Sequence, residues 1–107
     1  MRFDNRLDPL LTELAEKIII CTKCPLAESR INAVPGDGQQ HATMMFIGEA
    51  PGAKEDETGR PFIGQSGQLL GDLLKDEGVE RDDVFITSIL KCRPPDNRNP
   101  TTDEVRS

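Results

Sequence analysis

Cys21 and Cys24 form a C-x2-C pair, and Cys92 is the remaining one of three cysteines. An odd count at this spacing fits a metal or iron–sulfur site better than a disulfide framework, because soft thiolates at x2 spacing can both face one metal centre. Three ligands leave such a site one short. The plainer alternative is a pair of reduced core thiols, against which the spacing and the flanking Lys23 and Pro25 favour a metal knuckle. Read from the cysteines alone, a small zinc-binding interaction module is also open.

Two glycine-bounded stretches carry other candidate chemistry. Gly48-Glu49-Ala50-Pro51-Gly52 is not a phosphate-binding Walker loop, because Ala53 stands where its second glycine belongs and Glu49 would repel a phosphate. A carboxylate at a strand end suits polarising a water or hydrogen-bonding a neutral heterocycle; the alternative is a plain surface carboxylate beside a turn. Phe62, inside Gly59-Arg60-Pro61-Phe62-Ile63-Gly64, is either tucked into the core or presented as a platform on which a base stacks. Residue preference alone favours the core. Arg60, Lys91, Arg93 and Arg98 could meet a nucleic-acid backbone, with ordinary surface charge as the rival reading, the better one for Arg60 alone. His41 is expected to be exposed in a turn, without a role.

These residues need elements to position them. Asp8 and Pro9 look like an N-cap and first helical position, and Leu10, Leu11, Leu14 and Ile18 recur at helical spacing in a helix that delivers the chain to Cys21. Pro35 to Gln40 reads as a turn, Thr43 to Ile47 as a short buried strand, and Gly48 to Gly67 as a long loop. Ser66 then caps a helix with an apolar stripe of Leu69, Leu70, Leu73 and Leu74, and Gly78 ends it. Arg81 to Asp83 turn the chain into Val84–Leu90, a strand covered on both faces. The natural closure is a right-handed βαβ unit with parallel strands, whose ligand sites lie outside the strands' carboxyl ends. Gly48–Gly52 and Lys91–Arg98 both leave from those ends. Thr101 to Ser107 reads as the first turns of a helix, with Thr102 as a possible cap.

Composition narrows the classes. With 107 residues, 36% hydrophobic, four Phe and neither Trp nor Tyr, the chain is at most one domain with a modest aliphatic core. A net charge of −6 argues against a polyanion binder that works by bulk electrostatics, although a local basic cluster could still hold DNA. No apolar run is long enough to span a bilayer and no signal segment opens the chain. A soluble, monomeric, cytoplasmic protein without a membrane partner is expected, in a compartment where free thiols persist.

The stretches Cys21-Thr22-Lys23-Cys24-Pro25-Leu26, Gly48 to Gly52, Glu55-Asp56, Gly59 to Gly64, Ser66-Gly67, and Lys91-Cys92-Arg93-Pro94-Pro95 with Asn97-Arg98 and Pro100 are together highly specific. In order and spacing they resemble the thermophile-type, family 4 uracil-DNA glycosylases, from about Cys21 to the C-terminus. The resemblance implies an α/β fold, a three-layer α/β/α sandwich with a parallel sheet. Residues 1–107 would be the N-terminal part of that single domain, truncated after the first βαβ unit. It further implies a 4Fe–4S cluster and, on uracil-containing DNA, hydrolysis of the N-glycosidic bond of a flipped-out uracil in base excision repair.

Carried over residue by residue, Glu49 is the catalytic candidate, in the loop that handles the attacking water and, with Gly48, the uracil edge. Phe62 matches the aromatic that stacks on the base. Arg60, Ser66, Gly67, Arg93 and Arg98 fall in DNA-contacting motifs. Cys21, Cys24 and Cys92 match three cluster ligands; the fourth is expected one position beyond Ser107, and a late histidine-containing motif belongs to the family's second half. One departure lies inside the matched stretch: the family usually has asparagine in its I-T-N-x-x-K-C segment, where this chain has Ile86-Thr87-Ser88-Ile89-Leu90-Lys91-Cys92. The asparagine amide reads uracil N3 and O4, whereas serine offers a single hydroxyl. A bidentate base contact contributes roughly 1–3 kcal/mol of discrimination, so Ser88 should weaken uracil selectivity or shift it to another deaminated base. The chain alone is expected to be inactive; the runner-up reading is a non-catalytic relative or fragment that keeps the fold and an incomplete metal site.

Overall fold

The computed structural model describes residues 9–39 and 41–107, so the expected Asp8 cap and the Gln40 end of the first turn lie outside the described residues. Helix α1 (Pro9–Ile19) leads to a single helical turn, α2 (Leu26–Ser29), and then to a two-residue strand, β1 (Asp37–Gly38). Strand β2 (Met45–Gly48), helices α3 (Ala53–Thr58) and α4 (Gln65–Asp76), strand β3 (Phe85–Ser88) and helix α5 (Thr102–Arg106) follow, with short 3-10 turns before β3 and before α5.

The parallel βαβ unit forms as expected. β2 and β3 pair in parallel from Met45↔Phe85 to Gly48↔Ser88, so Gly48 and Ser88 sit side by side at the carboxyl ends. The sheet is nevertheless mixed, in the order β1-β3-β2, because the stretch expected to be only a turn contributes β1, antiparallel to β3. Glycine makes this approach possible: a Cβ on Gly38 would lie 2.0 Å from the Val84 carbonyl oxygen, at a φ of +117°. The whole remains within the expected α/β class.

Burial follows the sheet. β3 is covered along its length, and Ile86 at its centre is fully buried. Leu74, Val84 and Ile86 form one core cluster, with Phe46, Phe62, Leu70 and Val79 packed against it. Leu26, Ala33, Leu90 and Cys92 form a second, joined by Ile18, Cys24 and Ala50. The expectation that Thr43 to Ile47 is a buried strand is corrected: β2 lies at the sheet edge, Met45 and Ile47 are exposed, and only the alternate residue Phe46 turns inward.

The helices differ in detail from their sequence patterns. In α1 the buried face runs through Leu11, Ala15 and Ile18, leaving Leu10 and Leu14 exposed. In α4 it runs through Gly67, Leu70 and Leu74, leaving Leu69 and Leu73 exposed. α4 ends as expected at Gly78, where the Val79 and Gly78 amides donate to the Leu74 and Lys75 carbonyls in a Schellman motif. Two caps shift: Gly64, not Ser66, precedes α4, and Thr101, not Thr102, caps α5 by accepting from the Glu104 amide. The loop expected over Gly48 to Gly67 contains α3, which is stopped by Gly59 in the left-handed region.

Candidate functional site

Phe62 has φ +50°, a conformation that an aromatic residue adopts only when its surroundings over-determine it. Here they do, from four sides. Its ring lies over Gly48, where a Cβ would come within 2.5 Å of Phe62 Cε2. Its carbonyl lies against Gly67 of α4, where a Cβ would come within 1.7 Å of the Phe62 oxygen. The Arg81 guanidinium donates to the carbonyls of both Pro61 and Phe62. On the other flank, Glu55 Oε2 accepts from the amides of Ile63 (3.0 Å) and Gly64 (2.7 Å), while its Oε1 accepts from Gly52 (2.9 Å). Burial pushes the Glu55 carboxyl up, but the amides of Gly64, Ile63 and Gly52 outweigh it and hold the group below its ordinary value.

Phe62 is therefore neither of the two simple alternatives. It is half-buried, with one side against the sheet cluster and the other lining a cavity of about 330 Å³ together with Ala50, Pro51, Ser66, Gly67 and Ser88. That volume is at the lower end of small-ligand sites, about 300–1,000 Å³. The structure thus gathers Gly48, Phe62, Ser66, Gly67 and Ser88 at one place. Glu49 is next in the chain but exposed and outside this lining.

At the end of β3, the buried Ser88 hydroxyl donates to the Leu90 carbonyl at 2.8 Å, which leaves its oxygen free to accept. Lys91 folds back over the same strand end, donating to the Thr87 hydroxyl at 2.9 Å and to the Ser88 carbonyl. Burial pushes the Lys91 amine down. The other candidate cations are engaged by partners. Arg60 Nε meets the buried Asp37 at 2.8 Å, Arg93 Nε donates to Asn97, and Arg98 forms a two-pronged pair with Glu104 at 2.7 and 2.8 Å. Arg98 and the Thr101 amide hold the Glu104 carboxyl at about 2.

The three thiols are free and line one cavity of about 690 Å³ between α1, the β3 exit and α5. Cys92 is buried, which pushes its thiol up against the opposing pull of Arg30. Among the described residues no group of three or more His, Cys, Asp or Glu is placed to hold a metal ion. Three soft thiol donors lining one cavity are nevertheless of the chemical type that holds an iron–sulfur group.

The sequence places Glu55-Asp56 only within the family resemblance and gives no role to the supports. Asp37, Glu55, Asp56 and Arg81 set the loops, and Glu55 also lines the cavity beside Phe62. Asp56 is buried and accepts from the amides of Ile31 (2.9 Å) and Asn32 (3.2 Å), docking α3. A Gly-x-x-Glu spacing at Gly52–Glu55 was the available signal, a carboxylate three residues after a helix start.

The sequence signature of the uracil DNA glycosylase superfamily matches residues 35–107. A type-4 uracil-DNA glycosylase of Pyrobaculum aerophilum is 56% identical over 97 residues, covering 91% of this chain and 50% of the relative. One of Thermotoga maritima is 46% identical, with the same shares. A type-5 uracil-DNA glycosylase of Thermus thermophilus is 40% identical over 88 residues, covering 69% of this chain and 40% of the relative. The chain spans about half the length of the type-4 relatives it matches.

Proposed function

The chain belongs to the uracil DNA glycosylase superfamily, and on that premise we propose that it forms the base-holding part of a DNA repair hydrolase that cleaves the N-glycosidic bond of uracil flipped out of DNA. The observation that carries this reading is Phe62, forced to φ +50° at the wall of a cavity that ends on Ser88. Strain of this kind persists only where the surroundings over-determine it, and it clusters at active sites and ligand clamps. An extrahelical base entering the cavity meets the Phe62 ring for stacking and the Ser88 oxygen as acceptor for a ring N–H.

Departure of uracil leaves positive charge on the sugar and negative charge on the base, and the enzyme's task is to stabilise both while a water attacks. Glu49, exposed beside the Gly48–Ser88 strand ends, is assigned to that water. DNA is assigned to Arg60, Ser66, Gly67, Arg93 and Arg98. Ser66 supports this best, being exposed on the first turn of α4, whose amides lack intrahelical partners and favour phosphate. Residues 1–107 act as the N-terminal part of one domain, in a monomeric cytoplasmic enzyme. Cys21, Cys24 and Cys92 would be ligands of a 4Fe–4S cluster, which when bound would supply a structural tie between the N-terminal loop and the exit of β3.

The test is release of uracil from a single-uracil duplex by the chain extended to the length of its type-4 relatives, beside the same protein carrying Glu49→Gln. Excision by the parent and its loss in the variant, with base binding retained, is expected. A parent without excision removes the enzymatic reading and leaves the non-catalytic one.

A further inference from the structure

Arg30 lies outside the sequence motifs, yet its side chain bridges the Cys21 backbone and the Cys92 thiol. α2 reverses the chain directly after Cys24 and Pro25, and Arg30 closes that turn by donating its amide to the Leu26 carbonyl. The guanidinium then reaches back. Its Nη1 donates to the Cys21 carbonyl at 2.6 Å and to Cys92 Sγ at 3.2 Å, and its Nη2 donates to the Ile19 carbonyl at 3.1 Å. One planar fork thus spans the end of α1, the first cysteine and a sulfur 62 positions away in sequence. Lys17, Lys23, Lys91 and Arg106 line the thiol cavity and Arg30 does not, but among the described residues Arg30 is the cation hydrogen-bonded to a sulfur.

We propose that Arg30 is a positioning residue of the thiol centre, setting the separation of the Cys21 loop from Cys92 and donating a charge-assisted hydrogen bond to the Cys92 sulfur when that sulfur is a ligand. This rests on the reading of the three cysteines as cluster ligands. Hydrogen bonds and positive charge at a ligating sulfur favour the more negative, reduced cluster, and residues that orient ligands govern retention of the metal. Lysine keeps the charge but has a single ammonium in place of the fork, so it should serve in part.

The experiment uses the chain extended to the length of its type-4 relatives, reconstituted anaerobically with iron and sulfide, and compares Arg30→Gln and Arg30→Lys with the parent. Iron and sulfide per chain, the rate of iron loss to a chelator and the cluster's midpoint potential are measured. Arg30→Gln should lose iron about 10–100-fold faster and show a lower midpoint potential, with Arg30→Lys in between. Equal retention and equal potential in Arg30→Gln would overturn the proposal while leaving the ligand assignment intact. Unfolding of both metal-free variants would make Arg30 a structural residue only, and likewise overturn it. A parent that takes up no iron would remove the ligand reading and this inference together.

Discussion

Ser88 shows how one side chain can set what the site reads. Its proton is committed to the Leu90 carbonyl, so toward a base it can accept but not donate. A uracil-like edge presents an N–H beside a carbonyl oxygen, and an amide answers both. In the extended protein, Ser88→Asn should therefore raise preference for uracil over 5-hydroxycytosine, whose edge has an acceptor and an amino group in place of that pair, by about tenfold or more, since 1.4 kcal/mol is a factor of ten. Competition between single-lesion duplexes measures this, and unchanged preference would mean that the end of β3 does not read the base. Position and type of Ser88 were legible in the sequence. The bond that consumes its proton was not, because it depends on how the chain bends after β3.

At the scale of elements, the fit between α4 and the Phe62 loop rests on Gly67. A methyl group there meets the Phe62 backbone oxygen at 1.7 Å, and backbone cannot step aside cheaply. Gly67→Ala should destabilise the protein by about 1–3 kcal/mol as overpacking does. Gly71, one turn on, has nothing within 4 Å. Gly71→Ala should instead stabilise by about 0.4–1 kcal/mol through the unfolded chain. Urea unfolding of the two variants decides; destabilisation of equal size in both would show that helix composition, not the Phe62 contact, governs α4.

Glu55 joins α3 to the same loop, and its carboxyl is held below the ordinary 4.5. A folded value below the unfolded one gives stability that is present above the unfolded value and is lost as pH falls through the folded value. Glu55→Gln should cost about 1.5–3 kcal/mol at pH near 7, the range for hydrogen bonds to a charged group. The cost should shrink on acidification below about 4.5. A cost independent of pH would assign it to shape alone. These element-scale features were the least legible. α3 is six residues between glycines, and its Glu and Asp read as a solvated loop until Asp56 is seen buried. β1 is two residues, one of them glycine, with no pattern that periodicity can detect. The Schellman end of α4 was legible because a single glycine after an apolar stripe carries it.

For the whole molecule, the sequence conveyed the parallel unit, the strand ends that hold the cavity and the ordering of the motifs. It did not convey which apolar faces stay bare. Met45, Ile47, Leu69 and Leu73 are exposed although their patterns read as core, because a hydrophobic stripe records that a face is apolar and not which partner covers it. The three thiols follow the same logic: they share a cavity, but an iron–sulfur cluster held by these thiolates alone would be open to oxygen. The 107-residue chain prepared in air should therefore be largely metal-free, as read by iron analysis and absorbance in the visible. A stoichiometric, air-stable brown cluster would contradict this.

The central claim is that the cavity beneath Phe62 holds an extrahelical base for hydrolysis, and the rate of uracil release from a single-uracil duplex by the extended protein and its Phe62→Ala variant tests it most directly. Stacking contributes roughly 1–3 kcal/mol, so the variant should be slower on the order of ten- to a hundredfold while keeping its fold, since only one side of the ring packs on the core. Equal release by the two proteins, or collapse of the fold on removing the ring, would contradict the assignment.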